Sequence, residues 1–409
     1  MIPDKKQEYA IFTVCNLAYM PKALVLAESV LKFNNIKLII YLIDKKATID
    51  LSAVEANIVW IEDVGIPDFY ELAFKYDIIE LSTSLKPYLT LKLFERFKKV
   101  IFLDADTCLY DSVEPVLCDL DGHSVVLTPH YTTPQSDNFS ESDMAMMRFG
   151  SFNLGFYAVK NSLEGVSFLK WWSNRCLQFS FMESQFGLST DQKWVTIAPC
   201  LFKDIYISFN LGYNTAAWNS YERFITKDSE GRYLVNKIYP LIFFHFSNFD
   251  GADPEYLNKR SLYEKNVKRP DLLELGTAYG EKLSAKKTGA ESIKYGFDYM
   301  SGGEYISPTL RRAYACILKE LPPGHDPFDS NGVVGSFARK NFLFEKKGHS
   351  SAYKPSGYSK ISENKFKFKI IYSVMRTILR LIGPNRFYDF SRLLVYLSSY
   401  RQNRDLWKY

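Results

Sequence analysis

Through the first quarter of the chain, short apolar runs that stop at a polar residue alternate with segments whose apolar positions recur every three or four residues. The run Tyr9 to Cys15 closes on Asn16 and predicts a first strand. Met20 to Phe33 carries Leu24, Ala27, Val30 and Leu31 at helical spacing. Lys37 to Ile43 is a second apolar run, closed by Asp44, and Asn57 to Ile61 is a third. From Ser84 to Phe97 the period is helical again, with Leu85, Tyr88, Leu89 and Leu93 near one face. Lys98 to Leu103 then reads as a strand that ends at Asp104-Ala105-Asp106. Continuous apolar strands separated by helices predict an α/β fold, with a mostly parallel central sheet and flanking helices.

The alternation continues less regularly. Ser124 to Thr128, Ser151 to Val159, Asp204 to Ser208 and Leu241 to Phe246 are strand-like, while Ser162 to Phe179 and Asp191 to Ala198 are helical in pattern. Thr132 to Arg148 is polar and methionine-containing, which predicts a loop over a cleft. Beyond Gly251 the pattern breaks into short helical pieces with turns at Ser301-Gly302-Gly303 and Pro322-Pro323-Gly324. Ile370 to Ile382 and Arg386 to Tyr400 are amphipathic and separated by Gly383-Pro384. The organisation expected is a domain over residues 1–250, a helical or irregular extension over 251–350 that completes it, and a basic amphipathic tail over 351–409.

Charge sharpens the reading of that tail. From Ser351 onward there are 12 lysines and arginines against 3 acidic residues, whereas residues 1–350 carry 39 basic and 43 acidic ones. The basic residues are interleaved with Leu, Ile, Phe and Tyr, which argues against nucleic acid as a partner. Two readings fit instead: a helical hairpin packed on the body or on a second subunit, and peripheral contact with an anionic membrane through residues 365–400. No apolar run reaches the ~18–20 residues of a membrane span. The first residues lack the apolar core of a signal peptide, so a cytoplasmic protein is expected, and the membrane reading of the tail would set it on the inner face of the membrane. The 6 cysteines are scattered without a Cys-x-x-Cys pair, and read as core residues rather than bridges or a zinc site.

In open parallel sheets, ligands bind at the carboxyl ends of strands. Four polar groups sit there in this sequence: Thr13 to Asn16, Asp44, Asp104 to Asp106, and His245. A strand-end Asp-x-Asp suits a hard divalent cation, Mn2+ or Mg2+, that bridges phosphate oxygens. Taken alone, the pair fits a solvated turn as well, and a lone strand-end histidine fits a satisfied core residue. Together they make a cation site with His245 as third ligand a reasonable expectation.

Several ordered motifs join these residues. Thr13-Val-Cys-Asn16 with Tyr19 opens the series, and Leu85-Lys86-Pro87-Tyr88 precedes the Asp-x-Asp strand Val100 to Thr107. Phe152-Asn153-Leu154-Gly155-Phe156, Asp191-Gln192-Lys193-Trp194, Tyr213-Asn214 with Trp218-Asn219, and Phe244-His245-Phe246-Ser247 follow. Over residues 8–250 this pattern resembles the glycosyltransferases of the GT-A fold, in particular those of the family 8 type and the bacterial capsule and O-antigen transferases like them. Two departures stand out. The family usually has Arg where Lys86 stands, and it tends to place Gly and Lys soon after the histidine, whereas no lysine follows His245 here until Lys259.

The resemblance implies a hexosyltransferase that moves a sugar from a nucleotide-diphosphate donor, a UDP-sugar first, to a glycan or lipid-linked cell-envelope acceptor, with retained anomeric configuration. It implies that Asp104, Asp106 and His245 hold Mn2+ or Mg2+, and that Lys86, Asn153 and Asp191 act in catalysis. Thr13, Asn16, Tyr19, Asp44, Ala105, Gly155, Gln192 and Asn214, with the two metal-binding aspartates, would contact the donor. Two other classes remain open on sequence grounds. One is a phosphatase of the haloacid-dehalogenase type using Asp104 as nucleophile; the other is a non-catalytic nucleotide-sugar-binding protein.

Overall fold

The computed structural model describes residues 6–47, 49, 51, 54–134, 140–253, 255–260, 268–344 and 365–407. They group into two compact units, one of residues 1–67 and 78–296, the other of residues 68–77 and 297–409.

The first unit is built on a seven-stranded sheet. In chain order its opening elements are β1 (Gln7–Cys15), α1 (Met20–Asn34), β2 (Ile39–Leu42) and β3 (Asn57–Trp60). The chain leaves for α2 (Phe69–Lys75), which belongs to the second unit, and returns with α3 (Ile78–Leu93), β4 (Phe97–Leu103) and β5 (Thr107–Leu109). Then come α4 (Glu114–Gly122), β6 (Val125–Pro129), α5 (Ser140–Phe149), β7 (Phe152–Lys160) and α6 (Leu163–Phe179). The main sheet runs Ile205–Ile207, β6, β7, β4, β1, β2, β3. All of its pairs are parallel except the two that β7 makes with β4 and β6. This is the α/β class with a mostly parallel sheet that the hydrophobic pattern predicts. Burial on both faces explains the uninterrupted apolar runs: Ile11, Phe12, Ile40, Leu42, Ile101, Phe102 and Leu103 are all fully buried.

Two details of topology position the site. Because β7 runs against β4, its first residues return to the carboxyl end of β4, and the Asp104 amide donates to the Gly155 carbonyl at 2.8 Å. A second, three-stranded sheet pairs β5 antiparallel with Phe243–His245 in a register that sets His245 opposite Thr107. Thr215–Ala216 pairs parallel on the other side of that strand, Ala216 opposite His245.

Two sequence expectations are corrected. The helix read from Ser84 to Phe97 spans Ile78–Leu93. Its first turns carry Ser82 and Thr83, whose hydroxyls donate back to the Ile79 carbonyl, so these polar residues extend the helix instead of preceding it. The loop expected over Thr132 to Arg148 contains α5, whose acidic start, Ser140 to Asp143, suits a helix N-terminus and whose Met-Ala-Met-Met run favours helix. Residues 135–139 lie outside the described residues.

In the second unit, the Arg311 guanidinium is buried and donates to the carbonyls of Ala73, Phe74 and Tyr76 at the end of α2. It also reaches the Phe297 carbonyl and pairs with Asp298 at 2.7 Å. One charged side chain therefore satisfies the open carbonyls that α2 leaves at its C-terminus. The two amphipathic segments of the tail form helices, Lys365–Ile382 and Pro384–Leu397. Their apolar side chains stay in solvent, with Ile370, Val374, Leu381, Leu393 and Val395 each between 46% and 78% exposed. Among the described residues, no helix is long and apolar enough to cross a membrane.

Candidate active site

A cleft of about 790 Å³ opens at the carboxyl ends of β1 and β4 in the first unit. Its walls include Asn16, Tyr19, Lys86, Asp104, Ala105, Asp106, Asn153, Gly155, Asp191, Gln192 and His245. Eleven of the fourteen site residues expected from sequence thus share one cavity.

The candidate cation site follows from the strand pairing. The turn after β4 carries Asp104 and Asp106, and the register of β5 against Phe243–His245 brings the imidazole beside them. His245 Nε2 lies 3.0 Å from Asp106 Oδ1 and 3.8 Å from Asp104 Oδ2. One donor atom from each of the three residues falls within 4.8 Å of the others. Burial works to raise the Asp106 carboxyl, but His245 and then Lys22 prevail and hold it well below the usual carboxylate range. It is therefore ionised at neutral pH. Two carboxylates and an imidazole in this arrangement could hold a divalent cation.

The ring of His245 is fixed from behind. Its Nδ1 is 3.3 Å from Asn214 Oδ1, and Trp218 meets the ring edge to face at 5.1 Å. Asn214 is itself buried, with Nδ2 donating to the Asn153 carbonyl at 3.3 Å, to Asn153 Oδ1 at 3.0 Å and to Thr128 Oγ1 at 3.2 Å. Gly155 completes the packing: a Cβ there would run into the His245 ring and Asn153 Oδ1.

A second charged cluster faces the first. Lys86, on α3 and 5% exposed, lies 3.2 Å from Asp104 Oδ1 and 3.2 Å from Asp191 Oδ2. Its ammonium also donates to the Leu154 carbonyl at 3.0 Å. Burial pulls its pKa down, yet the two carboxylates outweigh burial and the net shift is upward. For Asp191, burial is the larger influence and raises its carboxyl despite Lys86. Gln192 accepts from the Leu154 amide at 3.3 Å and donates to the Phe149 carbonyl at 3.1 Å, tying β7 to the end of α5.

Three expected donor contacts lie behind the wall. Asn214 acts through His245, as above. Thr13 is fully buried in β1, and its hydroxyl has no hydrogen-bond partner among the described residues. Asp44 is 2% exposed and accepts from the amides of Gly296 at 2.9 Å, Lys45 at 3.2 Å and Leu17 at 3.4 Å.

Residues 37–196, which span the Asp-x-Asp turn, Asn153 and Asp191, match the family described as nucleotide-diphospho-sugar transferase. Over that stretch the chain is similar to a nucleotide-diphospho-sugar transferase domain. Two uncharacterized proteins of Bacillus subtilis (strain 168) share part of this chain. YfnD is 29% identical over 149 residues, which is 36% of this chain and 45% of YfnD. YfnF is 28% identical over 152 residues, 37% of this chain and 50% of YfnF. The chain spans about half the length of these curated relatives. Among solved structures, galactosyltransferase LgtC, in complex with donor and acceptor sugar analogs, is 17% identical with a TM-score of 0.39, over 68% of this chain and all of LgtC.

The first unit also brings to the cleft residues that the sequence motifs do not single out. His130 follows β6 directly and lines the cleft, with Nδ1 3.3 Å from the Ser151 carbonyl and Nε2 3.4 Å from Asn153 Nδ2. Burial pushes its imidazole down to about 4, so it is neutral at pH 7 and accepts from Asn153. The strand-end rule that selects His245 applies equally to His130. Ser247, Asn248, Tyr131 and Met146 line the same cavity.

Proposed function

We propose that the chain is a cation-dependent glycosyltransferase that moves a sugar from a nucleotide-diphosphate donor, UDP-sugars first, to a glycan or lipid-linked cell-envelope acceptor. The observation that carries this reading is the convergence of Asp104, Asp106 and His245 in a cleft that also holds Lys86, Asn153 and Asp191. Asn16 and Tyr19, backed by Thr13 and Asp44, shape the end that takes the nucleoside. Ala105 and Gly155 line the cleft beside the two aspartates, and Gly155 leaves the space that the His245 ring fills.

Mn2+ or Mg2+ bound by Asp104, Asp106 and His245 would supply Lewis-acid stabilisation for the charge that gathers on the leaving diphosphate. Asp191 and Asn153 face the donor sugar, with Gln192 beside them. Lys86 ties Asp104 and Asp191 to fixed positions and would add a second positive charge near the leaving diphosphate. We assign retention of anomeric configuration to the reaction, which product analysis by NMR decides.

The test is hydrolysis of a panel of nucleotide-diphospho-sugars with Mn2+ or Mg2+, since slow donor hydrolysis needs no acceptor. Release of nucleoside diphosphate from one donor, dependent on the cation, is the expected result. No release from any donor, or a phosphoenzyme trapped on Asp104, counts against it.

The tail belongs to the same proposal. Arg376 and Arg380 share the helix Lys365–Ile382 with exposed Ile370, Ile371 and Val374, a combination suited to an anionic lipid surface. Full-length protein should float with vesicles containing phosphatidylglycerol, and the double variant Arg376→Glu/Arg380→Glu should not. Equal flotation of the two proteins, or none by either, would remove the membrane contact.

A further inference from the structure

We infer that Lys22, in the first turn of α1, supplies the side-chain cation that grips the donor's diphosphate, an inference that rests on the transferase reading above. The sequence offers no lysine after His245 until Lys259, and Lys259 is exposed and paired with Asp253 at 2.7 Å. Lys86 is nearer the chemistry but already committed. Its ammonium is within 3.2 Å of Asp104, Asp191 and the Leu154 carbonyl, which uses its donors.

Lys22 is placed differently. Its Nζ lies 3.8 Å from Asp106 Oδ2, an ion pair too long to be a hydrogen bond, and its side chain is only 12% exposed. It sits 4.5 Å over the ring of Tyr19, and that tyrosine lines the cleft. Among the described residues, no hydrogen bond reaches Nζ. An ammonium with three donors, largely withdrawn from water and unmatched by acceptors, is a group waiting for oxygens. Its fixed place over Tyr19 lowers the cost of ordering it on binding.

The charge balance points the same way. Asp104 and Asp106 offset a divalent cation, and Lys86 offsets Asp191. Lys22 is then the uncompensated positive charge beside the cation, where the negative diphosphate must lie. The start of α1 adds a partial positive charge of the same sign.

The experiment measures dissociation constants of uridine, UMP and UDP, and of the guanosine series, by calorimetry with Mn2+ on full-length wild type, Lys22→Met and Lys22→Arg. In Lys22→Met, the diphosphate that wild type binds should weaken by ~10- to 50-fold, with a shallower salt dependence, as expected for loss of a charge-assisted contact. Its nucleoside should bind as in wild type, and Lys22→Arg should retain most of the affinity. Mn2+ alone should bind Lys22→Met as tightly as wild type or more tightly. Unchanged diphosphate affinity in Lys22→Met overturns the inference and leaves the transferase reading intact. So does a parallel fall in affinity for Mn2+ alone, which would mean that Lys22 acts only through Asp106. Failure of wild type to bind any nucleoside diphosphate overturns both.

Discussion

Asn214 Oδ1 stands 3.3 Å from Nδ1 of His245 and decides which ring nitrogen faces the two aspartates. The amide cannot turn over without cost, because its Nδ2 is committed to Asn153 and Thr128. Oδ1 must therefore accept, Nδ1 carries the proton, and the Nε2 lone pair is left for the cation. Replacing Asn214 by Ala should weaken Mn2+ binding by ~10- to 100-fold, the usual range for removing a group behind a metal ligand. Electron paramagnetic resonance titration of free Mn2+ measures this directly. Wild-type affinity in Asn214→Ala would show that the ring is oriented some other way.

Lys86 lies between Asp191, buried like itself, and the one-third exposed Asp104. Removing only the lysine leaves two carboxylates uncompensated. Lys86→Met should cost about 3–5 kcal/mol of stability, as breaking one side of a buried ion pair does. The double variant Lys86→Met/Asp191→Asn should recover about 1–2 kcal/mol, because the two changes are coupled. Urea denaturation of the four proteins in this cycle gives both numbers, and strict additivity would contradict the arrangement.

Gly155 is needed for space, since its backbone angle is one that other residues adopt freely. A methyl group there meets the His245 ring and Asn153 Oδ1. Gly155→Ala should lower stability by about 1–3 kcal/mol through overpacking and weaken Mn2+ binding as well. A variant that folds and binds Mn2+ like wild type would mean that the strand shifts to make room.

His130 gives the site a pH dependence of known sign. Its folded pKa is lowered to about 4 from the ordinary 6.5, so the unfolded chain takes up the proton first. The stability it contributes is present above about pH 6.5 and lost as pH falls toward 4, on the order of 2 kcal/mol for a ring partly open to the cleft. In His130→Gln this component should vanish, so the loss of stability between pH 7.5 and 4.5 should be smaller than in wild type. Equal losses would place the titration elsewhere.

Much of this was legible in the chain because strand ends are legible. A buried apolar run that stops at a polar residue gives both the strand and the side chain at its tip, which singles out Asp104, Asp106 and His245, three side chains that the structure sets close together. Contacts between distant segments have no such signal. Asp44 looks like another strand-tip ligand, yet one of the amides that claims it belongs to Gly296, 252 positions away. Lys22 reads as an ordinary solvated charge on an amphipathic helix, and only the return of the chain to the end of β4 puts Asp106 beside it. The stretch from Thr132 to Arg148 suggests a loop by its polarity, although its acidic start and methionine run carry a helical signal.

The most direct test is the linkage between cation and nucleotide at the three converging residues. Calorimetric titration of UDP, or of whichever nucleoside diphosphate wild type prefers, would be run with and without Mn2+ on wild type and on Asp106→Ala. Wild type should bind tightly only with Mn2+, and Asp106→Ala should lose ~100-fold or more in affinity, as expected when one of three protein ligands is removed. Equal, Mn2+-independent binding by both proteins would contradict the account.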